Sequence, residues 1–423
     1  MGVFYKGEEI GFIVDSPARG TLKITENGSY DVREKANVDV EVNASQEITS
    51  GNYLVKVIDY DGNILKEQWL NTGDKFILPN APTYHKRLEF DMWVGNIDII
   101  NNEITVENFD IAIGPIYKTK SGYNEFDIEM TKITGLNAIV YFEGEKDWGD
   151  GTVNSETTHT YSDYGKYTVI CKSNNRNTTS NWTFGQNYAG SNSYGKVLIE
   201  ARLNKVDNFN SRMFQGCVNL KRVNLSSQLT FDGNLQYSFA QAYSINTVIL
   251  PSNVQILTST FYDAYNLENI IFNNNLTSII AEQNTQPFAN CLKLKTICLP
   301  KTIEAIPTYL LRASGGKRLF IPDTITTLGV SMFYQNNMIE EIHILGNITT
   351  CEDYVFYATR CLRKIVFYNL TALPILPSAN VLNINSIDFK IFIPDALYEE
   401  ALISEYWLAK ADYICKLSEL YKN

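Results

Sequence analysis

Long apolar runs are missing from this chain. No stretch of about 18 apolar residues occurs, so no membrane-spanning helix and no membrane insertion are expected. Met1–Lys6 is followed by Gly7-Glu-Glu9, which interrupts the apolar core a secretory signal would need. Histidine is scarce: His85, His159 and His343 stand far apart. None lies in an HExxH spacing, and neither a GxSxG elbow nor a P-loop occurs, so zinc-hydrolase, serine-hydrolase and P-loop chemistry lack their residues. The carboxylate neighbours Glu340-Glu341 and Glu399-Glu400 point different ways on a strand or helix, which suits a two-carboxylate glycosidase poorly. Lysine and arginine do not cluster, and the formal charge is −11 with a pI near 5.0, so nucleic acid is not an expected partner. Seven cysteines without paired spacing argue against a disulfide framework or a zinc site. No heptad region is present to drive a trimer, and a homo-oligomer stays open. The expectation is a non-enzyme without cofactor or metal.

What the chain does have is a repeat. An apolar anchor recurs at Phe214, Phe239, Phe261, Phe288, Leu310, Phe333 and Phe356. Nine residues after each anchor stand Val223, Val248, Ile270, Ile297, Leu319, Ile342 and Ile365, and eleven after stand Leu225, Leu250, Phe272, Leu299, Ile321, Ile344 and Phe367. Most units add an apolar residue six after the anchor, and Gly316 breaks that rule in the fifth. Such a period belongs to a solenoid in the leucine-rich-repeat range. Cys217 and Cys291 share one repeat position with Ala242, Ala264 and Ala313, as small core fillers would. The pattern Phe288-Ala-Asn-Cys291, Leu294 and Ile297-Cys-Leu-Pro300 resembles the BspA-like leucine-rich repeats.

Upstream, strands and turns dominate. Ile24-Thr-Glu-Asn-Gly-Ser-Tyr-Asp-Val32, with its Asn27-Gly28 turn, precedes the alternating Val38-Asp-Val-Glu-Val42. This stretch resembles a short module of tail and surface proteins of bacteriophages infecting gut bacteria. Residues 44–118 run from Tyr53-Leu-Val-Lys-Val-Ile58 through the turn Asp59-Tyr-Asp-Gly62 to Phe90-x-x-Trp93 and Glu103-Ile-Thr-Val106. That order resembles the internalin B-repeat, a β-grasp-like spacer of bacterial surface proteins, with Arg87-Leu88 where the family has Gly-Tyr. Asp147-Trp-Gly-Asp-Gly-Thr152, His159-Thr-Tyr161 and Gly165-Lys-Tyr-Thr-Val169 resemble the PKD family of immunoglobulin-like sandwiches; that resemblance and the turn chemistry make Asp147, Asp150 and His159 structural, with a metal site the lesser alternative.

The expected fold is therefore β-rich and multidomain: small β modules and an immunoglobulin-like sandwich, then a leucine-rich-repeat solenoid with a C-terminal helical cap. The segments are an N-terminal docking module at 1–43, a spacer at 44–118, the sandwich at 119–185, the solenoid at 186–394 and the cap at 395–423, with Asp395 as N-cap.

Strand geometry next points to a surface. If residues nine and eleven after the anchor point inward, those eight and ten after point out. The eight-after row is polar: Arg222, Thr247, Asn269, Thr296, Arg318, Glu341 and Lys364. The ten-after row is mostly apolar: Asn224, Ile249, Ile271, Cys298, Phe320, His343 and Val366. A contiguous apolar ridge marks an interaction site. The candidate partner-binding residues are Ile249, Ile271, Cys298, Arg318, Phe320, His343 and Val366, centred on Phe320. Covering by another part of the same chain, or plain surface hydrophobics on β-prone strands, are the alternatives.

The modules read as a rod with a binding surface at its far end. The expected function is a bacteriophage virion surface protein, a tail or head fibre. Its N-terminal module would dock on other virion proteins, and its repeats would take a host cell-surface protein or polysaccharide. A bacterial cell-surface adhesin, or an architectural virion subunit, is the alternative.

Overall fold

The computed structural model describes residues 52–82, 87–176 and 194–420, apart from positions 208, 210, 231, 283, 284, 296, 385 and 387, and four short strands between residues 4 and 33. The chain divides into two compact units, Met1–Gly51 and Asn52–Asn423. In the first, Thr21–Ile24 pairs antiparallel with Tyr30–Arg33, setting Leu22 opposite Val32. Phe4–Tyr5 pairs with Glu8–Glu9. The expected strand at Val38–Val42 lies outside the described residues, as do Trp182, Phe184 and His85.

In the second unit the repeat positions fold as their spacing predicts. Arg222–Asn224, Thr247–Ile249 and Asn269–Ile271 form parallel strands, as do Arg318–Ile321, Glu341–Ile344, Lys364–Phe367 and Lys390–Ile393 further on. The anchors and the nine-after and eleven-after residues are all buried in one continuous core. The anchor rings stack one repeat upon the next: Phe214 on Phe239 at 5.6 Å, Phe239 on Phe261 at 5.5 Å, Phe261 on Phe288 at 5.6 Å, and Phe333 on Phe356 at 5.7 Å. Each ring is thus covered by its neighbours in the stack. Phe288→Ala is expected to cost about 3–5 kcal/mol, as a buried aromatic deletion does, measured by denaturant unfolding.

The fifth unit departs from the rule where its backbone takes a conformation that side chains disfavour. At Gly315 an added Cβ would stand 2.1 Å from the carbonyl oxygen of Leu294, and Gly316 adopts a φ of +90°. The left-handed backbone at Gly316, where the other units carry an apolar side chain, favours glycine, and its neighbour Gly315 packs directly on the Leu294 carbonyl.

Both ends of the stack are closed. Asn124–Met130 pairs antiparallel with the first solenoid strand, Leu198–Arg202, so that Phe126 faces Ala201 and Asp127 faces Glu200. On its other side the same strand pairs with Gly165–Cys171. The segment holding Trp148 thereby continues the solenoid sheet rather than standing apart from it. Trp148 is buried, with Nε1 donating to Asn154 Oδ1, and Asp147 and Asp150 accept from the backbone N–H groups of Gly149 and Thr152. His159 lies 2.7 Å from Asp150 and stacks on Trp148.

At the other end Ile414–Lys416 adds a parallel strand to Lys390–Ile393. The expected helical cap is broken into the single turns Tyr398–Ala401 and Glu405–Leu408, with 3-10 turns beside them. Pro394, not Asp395, occupies the cap position of the 3-10 turn Asp395–Leu397 that precedes them; Asp395 instead accepts from the Ser418 N–H at 3.0 Å. Trp407 is buried against Phe367, so the cap does close the core.

The expectation of modules set in a row requires correction. Ile64–Leu70, Tyr53–Ile58, Ile111–Thr119 and Leu88–Gly95 form, in that order, a four-stranded sheet that lies over the solenoid strands. One face of this sheet holds Val55, Val57, Trp93, Ile111 and Ile113 in a core shared with Phe76 and Phe109. The other presents Ile58, Val94, Ala112 and Ile116 to the repeats. Strand side chains alternate between faces, so Ile111–Thr119 is buried on both. Gly114 lets this strand approach the repeats closely: a Cβ there would stand 2.8 Å from Ile249 Cδ1.

Candidate functional site

The ridge residues are assembled as the sequence suggests, but they are covered. Ile249, Ile271 and Cys298 share a buried cluster with Ile58, Val94, Ala112 and Ile116. Phe320 lies in the core of the overlying sheet, Val366 has no exposed surface, and His343 is 4% exposed. Arg318 is half-buried at the margin of this contact. The exposed ridge is therefore an internal seam of the second unit. Its apolar character follows from the sheet laid upon it, which removes that surface from water. Asn224, the polar member of the row, receives the Tyr117 N–H on Oδ1 and donates Nδ2 to the Tyr117 carbonyl. It serves the overlying strand as another strand would.

Charged pairs rim the seam. Arg318 reaches Asp110 at 3.3 Å and the Asn52 carbonyl at 3.1 Å, and its guanidinium lies over the rings of Phe320 and Trp69. His343 stacks on Phe320 at 4.5 Å, with Nδ1 3.0 Å from the Tyr368 hydroxyl and Nε2 3.0 Å from Glu341. Lys301 meets Glu107, and Asn274 donates to Asp98.

Burial tunes these groups. Desolvation raises Asp110 to about 6 against the pull of Arg318, and desolvation lowers His343. Glu341 is held at about 2 by its bond to His343 and by Lys364. The raised Asp110 makes its contribution to stability fully present below its ordinary value of 3.8 and lost as pH rises through about 6. Asp110→Asn keeps an acceptor for the Leu54 N–H but cannot ionise. Relative to the parent, this variant should gain about 2–3 kcal/mol between about pH 4 and about pH 7 in urea unfolding. A difference independent of pH would show that Asp110 is not desolvated at this contact.

Beyond the seam the second unit keeps an open cleft of about 330 Å³, lined by Tyr60, Asp61, Lys221, Arg222, Ser244, Asn246, Thr247 and Asn266. One wall is the Asp59-Tyr-Asp-Gly62 turn, and the other is the edge of successive repeats. Gly62 permits their approach, because a Cβ there would fall 2.3 Å from Thr247 Oγ1 and its φ is +84°. The walls are held in place by an ion network. Arg202, wholly buried, contacts Glu125 at 3.1 Å, Asp127 at 2.6 Å and Glu200 at 3.1 Å. Glu200 takes Arg222 at 2.8 Å and the Tyr60 hydroxyl at 3.3 Å, and Arg222 reaches across to Asp61 at 3.3 Å. Desolvation and Glu200 push the Tyr60 phenol well above its ordinary value, so Tyr60 stays neutral.

Arg222 and Thr247 were read from the sequence as members of a solvated row; the other lining residues were not singled out. The Asp59–Gly62 turn was visible as a turn, but its seat against the repeats was not.

Among the described residues, no helix is long and apolar enough to cross a membrane, and no group of three His, Cys, Asp or Glu side chains could hold a metal ion. Residues 188–283 and 260–375 match the BspA type leucine rich repeat region, in six copies. No curated protein matches the chain. A crystal structure of a leucine-rich repeat protein from Bacteroides ovatus is similar over 59% of this chain and 77% of its own, at 18% identity and a TM-score of 0.29.

Proposed function

From the premise that its solenoid is built of BspA-type leucine-rich repeats, we propose that this chain is a non-enzymatic recognition protein of the bacterial cell surface, of adhesin type. Repeats of this kind are typical of bacterial surface proteins, which supports the adhesin reading over virion attachment. The observation that carries recognition is the open polar cleft between the Asp59–Gly62 turn and the repeat edge. The apolar row beside it is already occupied by the chain itself, whereas the cleft is open to an outside partner. That partner is a protein or polysaccharide of the surface to which the bacterium attaches.

An antibody against the purified chain tests the location. On intact cells of the encoding organism it should label the surface, and beads coated with the full chain should adhere saturably to a host surface, with competition by free chain. Recovery of the protein in purified phage particles, with unlabelled cells, would return the virion reading to first place.

A further inference from the structure

We propose that the cleft is a saccharide site that takes an uncharged sugar unit; this rests on the recognition reading and assigns its ligand class. The volume, about 330 Å³, lies at the small end of the roughly 300–1,000 Å³ range of small-molecule pockets. It suits a sugar unit rather than an extended peptide.

Charge narrows the class. Arg222 is engaged by Glu200 and Asp61, so its positive charge is already balanced. Lys221 is exposed at the rim, where water and salt screen its charge. A phosphate or sulfate would meet little net positive charge. A metal ion would find Asp61 as the lining carboxylate, beside two cationic side chains. An apolar ligand would strip water from hydroxyl and amide groups and leave them without partners.

A sugar ring matches what is there. Its hydroxyls both donate and accept, and the lining supplies Ser and Thr hydroxyls, two Asn amides, an ammonium and a carboxylate. Several of these are fixed beforehand: Asn266 Nδ2 donates to the Tyr243 carbonyl at 2.7 Å, and Thr247 Oγ1 donates to Asn246 Oδ1 at 2.8 Å. Side chains already locked lose little freedom on binding.

The test is a glycan array probed with the full chain, and then with Ser244→Trp, which places bulk in the cleft. Neutral glycans should bind, with little dependence on salt, and Ser244→Trp should weaken binding at least tenfold at unchanged melting temperature. Should that variant melt early, Lys221→Trp at the exposed rim must give the same loss. Three results overturn the proposal: no glycan bound, binding confined to anionic glycans and abolished by salt, or full binding by a folded cleft variant. Coated-bead adherence is read in parallel. Adherence without glycan binding would remove the saccharide site and leave the recognition reading standing; absence of both would remove both.

Discussion

Phe320→Asp is expected to destabilise the second unit by more than about 5 kcal/mol. Phe320 is 4% exposed and is held between His343 at 4.5 Å and Tyr53 at 5.9 Å, with the Arg318 guanidinium over its ring. Removing a buried aromatic ring costs about 3–5 kcal/mol in transfer and cavity terms. A carboxylate set among Val55, Ile111 and Leu345 adds the cost of a charge taken out of water. Arg318 lies nearby but is already engaged by Asp110 and Glu341, so it offsets this cost only in part. Urea unfolding followed by near-ultraviolet circular dichroism measures the effect. A variant as stable as the parent would mean that Phe320 faces water.

Arg202→Ala should cost at least as much as the 3–5 kcal/mol typical of breaking a buried ion pair. Glu125 and Glu200 are each 1% exposed on their side chains, and both lean on this one guanidinium together with Asp127. Without it their negative charges face each other in a desolvated junction. Arg222 retains Glu200 and Arg87 retains Glu125, which limits the damage without relieving it. The junction joins Asn124–Met130 to the first repeat strand and underlies the cleft. The variant should therefore lose stability and glycan binding together. Loss of binding alone would assign Arg202 to the ligand rather than to the frame.

The repeat core was legible because it obeys a period: anchors and inward strand residues recur, and the structure buries them. Gly316 signalled an irregular unit, although the left-handed backbone that it adopts and the packing of Gly315 on the Leu294 carbonyl leave no trace in composition. The ten-after row was identified as apolar, but its cover was not identified. Outward orientation on a strand says nothing about what lies beyond it. The clue stood elsewhere, in the apolar run Ile111-Ala-Ile-Gly-Pro-Ile-Tyr117, which is what a strand buried on both faces requires. The ion network was illegible, since Glu125 and Arg202 are 77 residues apart. So was the cleft, whose walls come from a turn near residue 60 and repeats near residue 245.

The overlying sheet seals the repeat face, and Cys298 reports on that seal directly. Native chain is treated briefly with an alkylating reagent and each cysteine is followed by peptide mass spectrometry. Cys361 is exposed and serves as the reactive standard, while Cys217 and Cys291, within the solenoid core, serve as protected ones. Cys298 lies in the seam against the overlying sheet, and burial pushes its thiol up, away from the reactive thiolate. Cys298 should stay unmodified with Cys217 and Cys291 until the chain unfolds. Labelling of Cys298 at the rate of Cys361 in folded protein would contradict it and restore an exposed ridge.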